Sequence, residues 1–275
     1  MPMLVTSLAS SSKGNATLIR SARAAVLVDC GLACRTIEPL LGAAGVRPEQ
    51  VQAIFLTHEH GDHVQGVGAL ARKHRIPVIC TAGTAHALRE KHLRDLTPQT
   101  ICAGDTVQLA DLDVTSFAVA HDAAEPLGFV LHSAGVTVGL ATDLGSWDDA
   151  LVGHLRPADL LVIEANHSRE QLLASAYPWA VCQRIIGPYG HLDNHEAGAL
   201  LAAIAADGRP RDVRLAHLSD QANTAAYAVK TVRGVLAEAG VSWLRVRAFP
   251  RIASPYPHKL HTWSSDQLLQ QSPLF

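Results

Sequence analysis

Residues 54–63 read Ile54-Phe55-Leu56-Thr57-His58-Glu59-His60-Gly61-Asp62-His63. A short apolar run gives way at once to a polar, histidine-rich segment. The apolar part predicts a buried strand, and the polar part predicts the loop at its C-terminal end, where α/β proteins place their chemistry. A turn can bring His58, His60, Asp62 and His63 to one point, whereas a regular helix or strand cannot direct all four there. Imidazole and carboxylate donors suit Zn, Mn or Fe better than a soft thiolate site does.

The pattern recurs downstream. Asp113–Ala120 runs into His121, Thr137–Ala141 into Asp143, Leu160–Glu164 ends in an acid, and Val213–Ala216 runs into His217. Apolar strands that repeatedly end in His or Asp/Glu are what a metal site on one rim of a β-rich core requires. Glu164 and His191 form a second group of interest, because a histidine hydrogen-bonded to a carboxylate can carry a proton.

Composition bounds the answer. The chain has 275 residues, 48% hydrophobic and 17% charged, which describes a core-rich protein rather than a disordered one. The formal charge of −2 excludes an overwhelmingly basic protein but not a local basic groove. No apolar run reaches the roughly 18 residues needed to span a membrane, and no secretory signal is visible, so a cytoplasmic location is expected. The five cysteines form no CxxC pair, and Cys30, Cys80 and Cys102 are expected to be buried.

Along the chain, Leu4–Leu8 reads as an edge strand, followed by the turn cluster Ser10–Asn15 and a hairpin of Thr17–Arg20 with Ala25–Asp29. Helices are expected over Arg35–Ala44, over His63–His74 without a break, from Thr84 (as N-cap) to Lys91, over Arg169–Ala176, over His195–Ala206 and over Thr224–Ala239. Residues 1–250 read as one domain. Residues 251–275, rich in Pro, Gln and Ser, read as a C-terminal extension or tail.

The 58–63 segment resembles the HxHxDH signature of the metallo-β-lactamase superfamily. The resemblance implies an αββα sandwich, two mixed β-sheets packed face to face with helices on the outer faces. It also implies two divalent ions, Zn2+ or Mn2+ with Fe an alternative. His58, His60 and His121 would serve one ion, Asp62, His63 and His217 the other, and Asp143 would lie between them. Asp62, Glu164 and His191 are implied to be catalytic. Further segments resemble the YycJ/WalJ-like bacterial subgroup: Ser10–Thr17, Thr57–His60, His121–Pro126, Thr142–Gly145, Glu164–His167, Gly190–Asn194 and Ala216–Ser219. That resemblance implies a dinuclear metal-dependent phosphodiesterase, a nuclease of the 5′-to-3′ DNA exonuclease kind, with DNA or RNA as partner. A second class stays open: a small-molecule hydrolase acting on a cyclic phosphodiester, thioester or lactone. The sequence leaves monomer and homodimer both open. One position departs from the subgroup, with Asp193 standing where it carries Ser, and a helix N-cap is the expected role. Lys13 and a set of arginines that includes Arg184 are the candidate phosphate contacts.

Overall fold

The short strands are built from Val, Ile, Leu and Ala and are buried on both faces, which requires cover on both sides of each sheet. In the computed structural model, which describes residues 2–251 and 260–269, that cover is a second sheet on one side and helices on the other. The first half of the chain contributes β1 (Leu4–Ser11), β2 (Gly14–Arg20), β3 (Ala25–Val28), α1 (Cys34–Ala43), β4 (Ala53–Phe55), α2 (Gly61–Val64), α3 (Val67–His74), β5 (Val78–Cys80), α4 (Ala82–Leu88) and β6 (Gln99–Thr100). The second half contributes β7 (Thr106–Leu109), β8 (Leu112–Ala118), β9 (Leu127–Ser133), β10 (Val136–Ala141), α5 (Asp149–Leu155), β11 (Leu160–Glu164), α6 (Arg169–Leu173), α7 (Trp179–Ile186), α8 (Asn194–Ile204), β12 (Arg211–Ala216), α9 (Ala225–Glu238) and β13 (Leu244–Ala248). Strand β14 (His261–Ser264) and helix α10 (Asp266–Leu269) follow.

The sheets run β14-β1-β2-β3-β4-β5-β6 and β13-β12-β11-β10-β9-β8-β7. Each is mixed: an antiparallel meander passes into parallel strands at β3–β4 in one and at β10–β11 in the other. Side-chain alternation sorts the core into three layers. Val26, Val28, Phe55, Phe129, Leu140 and Val162 fill the space between the sheets. Phe55 and Phe129 meet edge to face at 5.5 Å. Their neighbours Leu27 and Ile54 face outward onto Ile37, Leu40 and Leu70 of α1 and α3. Leu161, Ile163 and Val213 face α5, α8 and α9. This is the expected αββα sandwich.

Several expectations are corrected. Strand β1 is not an edge, because β14 pairs with it antiparallel, Val5 opposite Trp263. The expected tail from Arg251 therefore contains a strand of the first sheet and places Trp263 in the inter-sheet core. Residues 252–259 and 270–275 of that stretch lie outside the described residues. The expected helix over His63–His74 is two helices parted at Gln65-Gly66. A Cβ on Gly66 would lie 2.1 Å from the Leu32 carbonyl oxygen, so the chain bends where that close approach is needed. Helix α4 starts three residues earlier than expected, capped by Thr81, whose Oγ1 accepts from the Thr84 N–H. Helices α5 and α7 were not anticipated. Cys102 is exposed rather than buried.

Candidate metal centre

The predicted ligands converge because strand ends from both sheets meet on one rim. Asp29, Asp143 and His217 each follow a strand with a left-handed backbone, φ 63°, 58° and 53°. A non-glycine residue in that region costs on the order of 1 kcal/mol or more and persists only where its surroundings hold it. Here the surroundings do. Asp29 accepts from the Thr57 N–H (2.9 Å) and hydroxyl, and the His217 N–H donates to Ser10 Oγ (2.9 Å). The sharp turn aims each side chain across the rim instead of along the sheet. Gly31 lets the β3 loop touch the metal loop: its added Cβ would lie 1.6 Å from the Asp62 carbonyl oxygen. The Cys30 N–H donates to the His63 carbonyl (2.8 Å) across the same seam.

Four histidines are oriented from behind. The Thr57 hydroxyl donates to Asp29, so it accepts from His58 Nδ1 (2.9 Å). His63 Nδ1 donates to Asp29 Oδ2 (2.8 Å), His121 Nδ1 to the Gly190 carbonyl (3.0 Å), and His217 Nδ1 to Glu164 Oε1 (2.7 Å). Each ring thereby holds a proton on its outer nitrogen and directs Nε2 toward the centre, the arrangement that fixes tautomer and ring angle when a metal is bound. His60 presents Nδ1, 3.2 Å from His121 Nε2. Ligand atoms within 4.8 Å of one another come from His58, His60 and His121, from Asp62, His63 and His217, and from His58, His63 and Asp143. All seven predicted ligands are thus brought together. His63 Nε2 lies 3.2 Å from Asp143 Oδ2, and His217 Nε2 lies 3.3 Å from Asp62 Oδ2.

Two atoms test whether cations fit. His58 Nε2 is buried with no hydrogen-bond partner, and Asp143 Oδ2, likewise buried without a hydrogen bond, has the His63 ring 3.2 Å away; both face the cluster. An orphaned buried acceptor is costly, and a cation coordinated there removes the cost. Electrostatics agree. Burial, reinforced by His63, His121 and His60, holds His58 neutral, well below the usual imidazole range. Burial opposes ionising Asp62, yet His63 and His217 beside it pull its carboxyl far below the usual range. Burial also disfavours the His217 imidazolium, but Asp143 and hydrogen bonds to Asp62 and Glu164 outweigh it and raise that ring to about 10. His63 is likewise driven up, against burial, by Asp143, Asp29 and Asp62. Without metal the cluster turns two ligands into cations to balance its buried carboxylates. Two divalent ions of the Zn or Mn type satisfy the same charges, and the imidazole and carboxylate donors suit them.

Glu164 is wholly buried at the end of β11. Its Oε1 accepts from His191 Nδ1 (2.9 Å) as well as His217, and its Oε2 accepts from the Leu144 and Leu192 N–H groups (2.8 and 3.2 Å). It binds two rings and two loops at once. Asp193 caps α8 as expected, its Oδ1 accepting from the N–H groups of His195 (2.7 Å) and Glu196 (2.9 Å). Lys13 is exposed and paired with Asp220 at 2.8 Å.

Sequence reasoning passed over Asp29, Thr57 and Asn15 as parts of the site. Asp29 carries the signal that marked the others, an acid closing an apolar strand, but it reads equally well as the end of a hairpin. Asn15 is buried with Nδ2 3.2 Å from Asp62 Oδ2 and 3.0 Å from His63 Nε2; the serine-rich turn that carries it resembles the subgroup's segment, but nothing in the turn singles out Asn15.

A rim of imidazoles and carboxylates over a two-sheet sandwich defines a metal-dependent hydrolase, and the chain belongs to the metallo-β-lactamase superfamily: residues 24–217 match the family described as the Beta-lactamase superfamily domain. It is similar to the exodeoxyribonuclease YycJ of Bacillus anthracis, 36% identical over 237 residues that cover 85% of this chain and 89% of that protein. It is also similar to the exodeoxyribonuclease WalJ of Streptococcus pneumoniae, 34% identical over 263 residues, 90% of this chain and 95% of the relative. The crystal structure of the metallo-β-lactamase fold protein YhfI from Bacillus subtilis matches 96% of this chain and 99% of its own at a TM-score of 0.69 and 18% identity, a likeness of fold alone. No helix among the described residues is long and apolar enough to cross a membrane.

Proposed function

We propose that the chain is a dinuclear metal-dependent phosphodiesterase that degrades DNA from a strand end in the 5′-to-3′ direction. The observation that carries the metal chemistry is the convergence of seven side-chain donors, among them His58 Nε2 and Asp143 Oδ2, which are buried without a hydrogen bond. The choice of DNA is supported by the similarity to two exodeoxyribonucleases over most of the chain.

In this reading His58, His60 and His121 would hold one ion, Asp62, His63 and His217 the other, and Asp143 would serve both. When bound, the pair would lower the pKa of a water and clamp the attacking and leaving oxygens of a displacement. The remaining work falls to the chain. Asp62, fixed by Asn15 and His217, orients the water through its carboxylate. His191 gives its Nδ1 proton to a hydrogen bond with Glu164, and the charges of Glu164 and Asp143 raise the ring against burial, so that as an imidazolium it also carries on Nε2 a proton to deliver to the leaving oxygen. Glu164 keeps that ring and His217 in place. A cytoplasmic location accords with five free cysteines, and a monomer or homodimer serves the chemistry equally.

The test is a matrix of metals and substrates on metal-stripped protein: single- and double-stranded DNA and RNA, a cyclic phosphodiester and a thioester, each with Zn2+ and Mn2+. DNA cleavage that disappears in Asp143→Ala is expected. Thioester hydrolysis with every phosphodiester left intact would refute the proposal.

A further inference from the structure

Among the described residues the exposed large apolar side chains are Leu173, Trp179 and Tyr189, and all three fall within 17 residues of one another around α6 and α7. Exposure here does not reflect a loose segment. Leu172, Cys182 and Ala222 form a small core beneath it, packed by Tyr177, Ile185 and Ile186. The loop that presents Tyr189 is fastened to the metal centre. Its carbonyl accepts from the Asp122 N–H (3.0 Å), and the next carbonyl, of Gly190, holds His121.

Cations lie beside the same segment. Arg184, near the C-terminal end of α7, grips the Asp122 carboxylate through Nε and Nη2 and is close enough to Asp62 and Asp143 for their charges to interact. Among the described residues two of its five N–H groups are used, and the side chain is 57% exposed. At the other end Tyr177, two residues before α7, is close enough to interact with Lys13, which lies beside Asp220 along with Arg251. Helix α7 is about 12 Å long at 1.5 Å per residue, with Arg184 near its C-terminal end and Lys13 within electrostatic reach of Tyr177 just before its start.

We propose that this surface takes the unpaired end of a nucleic-acid strand, with bases stacking on Tyr189 and Trp179 and Arg184 gripping a backbone phosphate. Exposed rings beside exposed cations match a ligand that is apolar and flat on one side and anionic on the other. Interior pairs of a duplex hide their base faces, so the fit is to an unpaired or frayed strand end. The inference deepens the nuclease reading and rests on it.

The test compares cleavage of an end-labelled single-stranded DNA oligonucleotide with hydrolysis of bis(p-nitrophenyl) phosphate, a diester small enough to occupy the metal centre alone. Trp179→Ala and Tyr189→Ala should each raise KM for the oligonucleotide about 5- to 100-fold, the cost of one lost stack. Hydrolysis of the small diester should stay within about twofold of wild type, and Tyr189→Phe should behave as wild type. Arg184→Gln should lower the magnitude of the slope of log Kd against log salt by about 0.7, one phosphate contact on a single strand. Oligonucleotide KM unmoved in both alanine variants overturns the inference. So does an equal loss on both substrates, or a change of oligomeric state in sedimentation with KM unmoved, which would make the surface a self-association face. A wild type that hydrolyses the small diester but neither binds nor cleaves nucleic acid refutes the nuclease reading itself.

Discussion

Glu164 accepts four hydrogen bonds without touching solvent, two of them from rings that face the metal-ligand cluster. Glu164→Gln puts an NH2 group where donors already point and removes the charge that steadies His191 and His217. Metal affinity should fall about 10- to 100-fold, read by titrating stripped protein with Zn2+ and a competing chelator. Unchanged affinity would mean that the carboxylate does not position His217. Asp193 makes the opposite case. Its carboxylate is spent on the first N–H groups of α8, so Asp193→Ala should cost about 1 kcal/mol in denaturant unfolding and leave kcat within about twofold. A selective loss of activity would return Asp193 to the substrate site. Both residues could be picked out in the sequence because each stands at a boundary, one closing an apolar strand and the other preceding an Ala/Leu-rich helix. Asn15 could not, since its contacts depend on a hairpin folding back onto a loop 47 residues away.

At the scale of elements, the sequence marks strands that end in ligands and conceals those that only complete a sheet. Strand β11 is read to the residue, whereas β14 is missed. Its polar His261-Thr262-Trp263-Ser264 follows a Pro-rich stretch, and its partner β1 lies more than 250 residues away. Local periodicity carries no trace of such pairing. Yet β14 is well anchored: Trp263 is fully buried, and its Nε1 donates to Asp212 Oδ2 (2.8 Å) on β12 of the facing sheet. Trp263→Ala should therefore destabilise the protein by about 3–5 kcal/mol, measured by urea unfolding. A cost below about 1 kcal/mol would mean that the C-terminal strand is dispensable to the sandwich. The break between α2 and α3 was hidden for a similar reason. Val64, Val67, Leu70 and Ala71 keep helical spacing through it, and only the approach of Leu32 to Gly66 reveals the bend.

Across the whole molecule the two halves repeat one plan, a meander that turns into parallel strands, and β14 gives the first sheet the outer strand that β7 gives the second. The ligands sit where the strand ends of both halves meet, so neither half holds the centre alone. Metal-free protein must balance the gathered carboxylates with protons. His217 is raised from 6.5 to about 10, so its contribution to stability is complete below about pH 6.5 and is lost as pH climbs toward 10. Chelated protein should accordingly melt at progressively lower temperature over that window, while metal-loaded protein changes less. Parallel melting curves would show that the imidazolium does not replace the ions. The most direct test of the central claim is a titration of stripped protein with Mn2+ or Zn2+, following release of nucleotides from an end-labelled DNA strand. Activity that rises to a plateau at two equivalents is the predicted result. A plateau at one equivalent, or a two-metal protein that leaves DNA intact, would contradict it.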